Sequence, residues 1–87
     1  MELYISFDLP DLDQALTIAS QVEPYAHGFD VGSLLLYKHG VLAIERFKEK
    51  FKNKIINVDA KLVIHGKETV TLLAQAGADW ITVMGSA

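Results

Sequence analysis

Lys54-Ile55-Ile56-Asn57-Val58-Asp59-Ala60-Lys61-Leu62 is the stretch that decides the fold. It is rich in β-branched residues, and a two-residue period puts Asn57, Asp59 and Lys61 on one face, with Ile56 and Val58 on the other. Three shorter runs follow the same rule. Leu3-Tyr4-Ile5-Ser6-Phe7-Asp8 alternates cleanly, with Leu3, Ile5 and Phe7 opposite Tyr4, Ser6 and Asp8. Phe29-Asp30-Val31-Gly32 and Trp80-Ile81-Thr82-Val83-Met84 complete the set. Apolar runs starting near residues 3, 29, 55 and 80, roughly 25 apart, are the spacing of a repeated βα unit.

Helices are expected between the strands. Asp11 is placed to cap the first, with Gln14 three residues on, and Leu12, Ala15, Leu16, Ala19 and Val22 form its apolar stripe until Pro24 ends it. After an apolar stretch and a break at His39-Gly40, a second helix from about Val41 to Phe51 buries Ile44, Phe47 and Phe51. A third carries Val70, Leu73 and Ala74, and Gly77 sits where a left-handed C-cap belongs. The order β-α-β-α-β-α-β fits an open α/β sheet or an arc of a (β/α)8 barrel. Asp8, Asp30 and Asp59 favour the barrel. All three lie near the carboxyl ends of strands on the face away from the helices, where barrels gather their reactive groups.

The 87 residues make one domain, 51% apolar and 22% charged, which suits a folded core. No cysteine is present, so disulfides and thiolate metal sites are excluded. A net charge of −3 gives no reason to expect nucleic acid. No apolar run approaches the ~20 residues of a membrane span, and a soluble cytoplasmic protein is expected.

Asp59 and Lys61 carry the strongest chemical signal. Two apart on a strand, they point the same way, ~6–7 Å apart along the chain. The ammonium can donate a proton or neutralise a developing oxyanion, and the carboxylate orients it. A surface ion pair at a strand end is the simpler account of the spacing. Asp30 and Asp59, on neighbouring strand ends, supply two oxygen ligands suited to Mg²⁺, or are two solvated acids beside a turn. Asp8 either joins this cluster or leads a turn into the first helix. His27, His39 and His65 each precede glycine, where backbone turning explains them more cheaply than catalysis. Glu45 to Lys50 is a mixed charge run assigned to the solvated face of the second helix.

Taken together, Ile5-Ser6-Phe7-Asp8, Phe29-Asp30-Val31-Gly32, Val58-Asp59-Ala60-Lys61 and Ala76-Gly77-Ala78-Asp79-Trp80-Ile81-Thr82-Val83 resemble, in order, the orotidine 5′-phosphate decarboxylase group. That group includes 3-keto-L-gulonate-6-phosphate decarboxylase and 3-hexulose-6-phosphate synthase. The resemblance covers the whole chain and the first half of the group's barrel. It implies a lyase, decarboxylase or aldolase, acting on a phosphorylated sugar or nucleotide. In the sugar-phosphate branch an acid on strand 2 and the first acid on strand 3 bind Mg²⁺, which stabilises an enediolate. Asp30 and Asp59 inherit the metal role by resemblance, Lys61 the proton-handling role and Asp8 the strand-1 position. The orotidine enzyme has lysine at the position of Asp30, whereas Leu9-Pro10-Asp11-Leu12-Asp13 is similar to its first loop.

Two departures bear on activity. The group's strand-3 pattern is Asp-x-Lys-x-x-Asp, and its last acid is Ile64 here. Relatives also grip the substrate phosphate with loops after strands 7 and 8. The isolated chain is therefore expected to be inactive. Its edge strands and inner face are expected to be covered by a homodimer or larger assembly, or by a complementary C-terminal half. The alternative is a non-catalytic, self-associating half-barrel, whether natural or engineered.

Overall fold

Backbone hydrogen bonds join β1 (Tyr4–Phe7), β2 (Gly28–Val31), β3 (Ile55–Lys61) and β4 (Trp80–Val83) into one sheet. All pairs are parallel, in the order β1-β2-β3-β4. The computed structural model describes residues 2–61 and 66–83, with side chains at all of these except 61, 66 and 83. The helices are α1 (Leu12–Val22), α2 (Ser33–His39), α3 (Val41–Lys50) and α4 (Gly66–Ala76). Among the described residues no helix is long and apolar enough to cross a membrane.

The pleat sorts the strand residues by face. Phe7, Phe29, Val31, Ile56, Val58 and Ala60 are buried, with Ile5 and Ile81 packed at the margin. They meet Ala15 and Ala19 of α1, Leu35 of α2, Ala43, Ile44 and Phe47 of α3, and Leu73 of α4. Aromatic rings fill the middle, where Phe29 meets Phe51 at 4.9 Å between centroids and Phe7 at 5.7 Å. On the other face Tyr4 stacks on Trp80 at 5.7 Å, near the amino ends of the strands. Gly28 permits this, because a Cβ there would lie 2.6 Å from the Tyr4 ring.

Local signals act as expected at both ends of the helical segments. Asp11 Oδ1 accepts the Gln14 N–H at 3.0 Å, capping α1. At the end of α4 the Gly77 N–H reaches Ala74 O and the Ala78 N–H reaches Leu73 O, a Schellman closure in which Gly77 has φ +121°.

Four expectations are corrected. The apolar stretch after β2 is itself a helix, α2, separated from α3 by Gly40 at φ +63°. Leu3, which the two-residue period groups with the buried Phe7, lies outside β1 and is 46% exposed. Val70 and Ala74 of α4 are exposed, and Leu73 makes the contact with the core. Lys48 departs from the solvated charge run, since its Nζ donates to Asp79 Oδ2 at 2.8 Å and to Lys54 O at 3.1 Å.

Asp79 thereby ties three elements together. The same Oδ2 accepts the Ile56 N–H at 2.8 Å, and the Asp79 N–H returns to Ile56 O at 2.8 Å. Gly77 packs on the Lys48 stem so closely that a Cβ would fall 2.9 Å away. Burial resists ionisation of Asp79, but the bonds from Lys48 and the Ile56 N–H, with the lysine charge, hold its carboxyl below the usual range. A carboxyl whose folded pKa lies below its unfolded value of about 3.9 stabilises the fold above that pH and loses the contribution as pH falls through the folded value. With 38% of the Asp79 side chain exposed, solvent screens the ion pair, and Asp79→Asn is expected to lower stability by roughly 1 kcal/mol at pH 7. The gap should narrow as pH falls below about 3.9 and through the lower folded value, as read by urea midpoints across pH. A gap that stays constant from pH 7 to pH 2 removes the charge from the account.

Candidate active site

Register places the polar residues of the concave face in two tiers. Ser6, Asp30 and Asn57 are direct partners across β1, β2 and β3. Ser6 Oγ donates to Asp30 Oδ2 at 2.9 Å, and Asn57 Nδ2 donates to Asp30 Oδ1 at 3.2 Å. Thr82 Oγ1 donates to Asn57 Oδ1 at 3.1 Å, which extends the row to β4. Two neutral donors therefore orient the Asp30 carboxylate. Strand parity put these residues on one face, but only register shows that they bond to one another.

The upper tier holds Asp8, just past the end of β1, and Asp59 of β3, each two residues beyond its neighbour in the lower row. Asp59 pairs with Thr82 in register. With Gly32 and the lower row, both line a cleft of about 280 Å³ at the carboxyl ends of the strands. Asp8 has another partner, since its Oδ1 accepts the Leu34 N–H at 2.8 Å and caps α2. Gly32 makes room for this, because a Cβ there would come within 2.6 Å of that oxygen. Sequence spacing offered no sign of the cap, which is made across 26 positions.

The cleft supplies hard oxygen donors, the kind that divalent magnesium prefers. Asp30 and Asp59 both line the cleft, and each Asp30 oxygen retains lone-pair capacity beyond its one hydrogen bond. Among the described residues no group of three acids or histidines converges to hold a metal. The residues fit a cation that keeps most of its water.

Lys61 belongs to β3 by its backbone, and its side chain lies outside the described atoms. Pairing with β4 slips here, with Asp59 opposite Thr82 and Lys61 opposite Val83. Ile64, His65 and Met84 also lie outside the described residues. The other histidines hold backbone. His27 Nδ1 accepts the Leu3 N–H at 3.0 Å, and His39 Nε2 meets Pro10 O at 2.7 Å.

The family model for orotidine 5′-phosphate decarboxylase / HUMPS matches residues 1–87. The chain belongs to this family. It is 30% identical over 86 residues to 3-hexulose-6-phosphate synthase of Bacillus subtilis (strain 168), covering 99% of this chain and 41% of the relative. The crystal structure of 3-hexulose-6-phosphate synthase from Salmonella typhimurium superposes with a TM-score of 0.94 at 34% identity, over 100% of this chain and 41% of that one. That of 3-keto-L-gulonate-6-phosphate decarboxylase from Vibrio cholerae gives 0.90 at 32%, over 94% and 38%. The chain thus spans about two fifths of the length of the relatives it matches. For this family member, the four-stranded arc is half of a (β/α)8 barrel and the cleft opens at its carboxyl-terminal mouth.

Proposed function

We propose that this chain supplies the strand-1 to strand-4 side of a lyase site acting on a phosphorylated sugar. The observation that carries the reading is the row Ser6–Asp30–Asn57–Thr82, which holds an acid on β2 beneath Asp59. An acid there suits the sugar-phosphate branch, in which 3-hexulose-6-phosphate synthase and 3-keto-L-gulonate-6-phosphate decarboxylase fall. Lys61 moves a proton at the reacting carbon, and Asp59 orients it and keeps it charged. Asp8 steadies the β1 end by capping α2. Asp30 and Asp59 would hold Mg²⁺, which when bound supplies positive charge against the oxyanion that develops in the reaction.

The concave face needs a cover. Trp80 is 55% exposed on it, and the Tyr4 hydroxyl is buried with no hydrogen-bond partner among the described residues. A complementary half-barrel or a second copy of this chain is the proposed partner, with β1 and β4 as the edges to be paired.

Two carboxylates with water completing the shell imply weak binding. Calorimetric titration with Mg²⁺ should give a dissociation constant on the order of millimolar for the parent chain. Asp59→Asn should abolish the heat. Equal heats from both proteins take Asp59 out of the site.

A further inference from the structure

The short helix α2 is fastened to the mouth of the sheet by contacts distant in sequence. Asp8 caps it, His39 at its end holds the loop after β1, and Tyr37 donates its hydroxyl to Ala60 O at 2.7 Å. This last bond falls where the described ladder slips. Two steps along β3, from Asp59 to Lys61, match one step along β4, from Thr82 to Val83. An extra residue in one strand bends it and re-aims its neighbours, and the ladder no longer fixes how the segment lies. The extra residue is Ala60, whose methyl group is buried and whose carbonyl is the one Tyr37 takes. Tyr37 is 60% exposed, so core packing does not account for its ring, whereas the hydroxyl has a defined acceptor.

We propose that Tyr37 is a positioning residue: its bond to the Ala60 carbonyl locks the irregular turn of β3 and so fixes how the Asp59 carboxylate is presented to the cleft beside Asp30. The inference rests on the reading of that cleft as the reactive site. It also makes α2 a brace that couples β1 to β3 through Asp8 and Tyr37.

The test is amide hydrogen exchange followed by NMR on the 87-residue chain and Tyr37→Phe, in the assembly state each adopts. Phenylalanine keeps the ring and deletes only the hydroxyl. Amides of residues 59–61 should exchange roughly five- to tenfold faster in the variant, while those of residues 29–31 and 56–58 stay within about twofold. The urea midpoint should barely move. Mg²⁺ affinity, measured with the metal alone, should fall by about threefold or more. Unchanged exchange at residues 59–61 overturns the proposal. So does a uniform acceleration across β2 and β3, which marks a merely structural role. Local acceleration in the variant, with no Mg²⁺ heat from the parent chain, upholds Tyr37 as the lock on β3 and rejects the metal-site reading instead.

Discussion

Phe29→Ala is expected to cost about 3–5 kcal/mol, the range for truncating a fully buried aromatic ring. Phe29 is 0% exposed and makes edge contacts with Phe7, Phe47 and Phe51 at 5.7, 6.0 and 4.9 Å. Those three rings come from β1, α3 and the α3–β3 connection, so one substitution loosens the packing of α3 on the sheet. A domain of this size has a total stability of roughly 4–13 kcal/mol. The loss is therefore a large share of it. At about 4–8 °C per kcal/mol, the melting temperature should fall by roughly 12–40 °C. Phe29→Leu should lose less than half as much, because leucine refills most of the volume. A fall below about 5 °C for Phe29→Ala would mean that the aromatic cluster does not organise the core.

Much of the site was legible in strand parity. The two-residue period placed Ser6, Asp30, Asn57, Asp59 and Thr82 on one face and Phe29, Val31, Ile56 and Val58 on the other. Parity gives a face and leaves register open, so the bonds from Ser6 and Asn57 to Asp30 needed the structure. Parity also says nothing of burial at a strand end, so it gave no sign that Leu3, just before β1, is exposed. The helix α2 escaped because Ser33-Leu34-Leu35-Leu36-Tyr37-Lys38-His39 is too short for a clear apolar stripe and takes its cap from Asp8. Lys48 and Asp79 were hidden for the same reason. A charge looks solvated until the partner 31 residues away is brought beside it.

Catalysis should show the largest effect. Placing Asp59 and Lys61 two apart on β3 does not by itself give rate, since such enzymes draw acceleration from binding a remote phosphate and using that energy at the reacting carbon. Four strand ends offer part of that machinery, and we expect the 87-residue polypeptide alone to decarboxylate neither 3-keto-L-gulonate 6-phosphate nor orotidine 5′-phosphate above background. Ile64, where the resemblance calls for an acid, lowers the ceiling further. Loss of a charged group that shapes a transition state costs on the order of a hundredfold in rate. Ile64→Asp together with a complementary half is accordingly expected to raise turnover, and Lys61→Ala to remove it.

We propose that this chain carries half of a lyase site built on Asp30, Asp59 and Lys61. The most direct measurement is turnover of 3-keto-L-gulonate 6-phosphate by Ile64→Asp combined with the C-terminal half of a 3-hexulose-6-phosphate synthase or 3-keto-L-gulonate-6-phosphate decarboxylase, in an assembly verified as a folded barrel. A half-site of this kind should give turnover for the assembly, background for either half alone, and a fall on the order of a hundredfold or more when Lys61→Ala is added. No turnover from a folded assembly, or turnover that Lys61→Ala leaves unchanged, contradicts it.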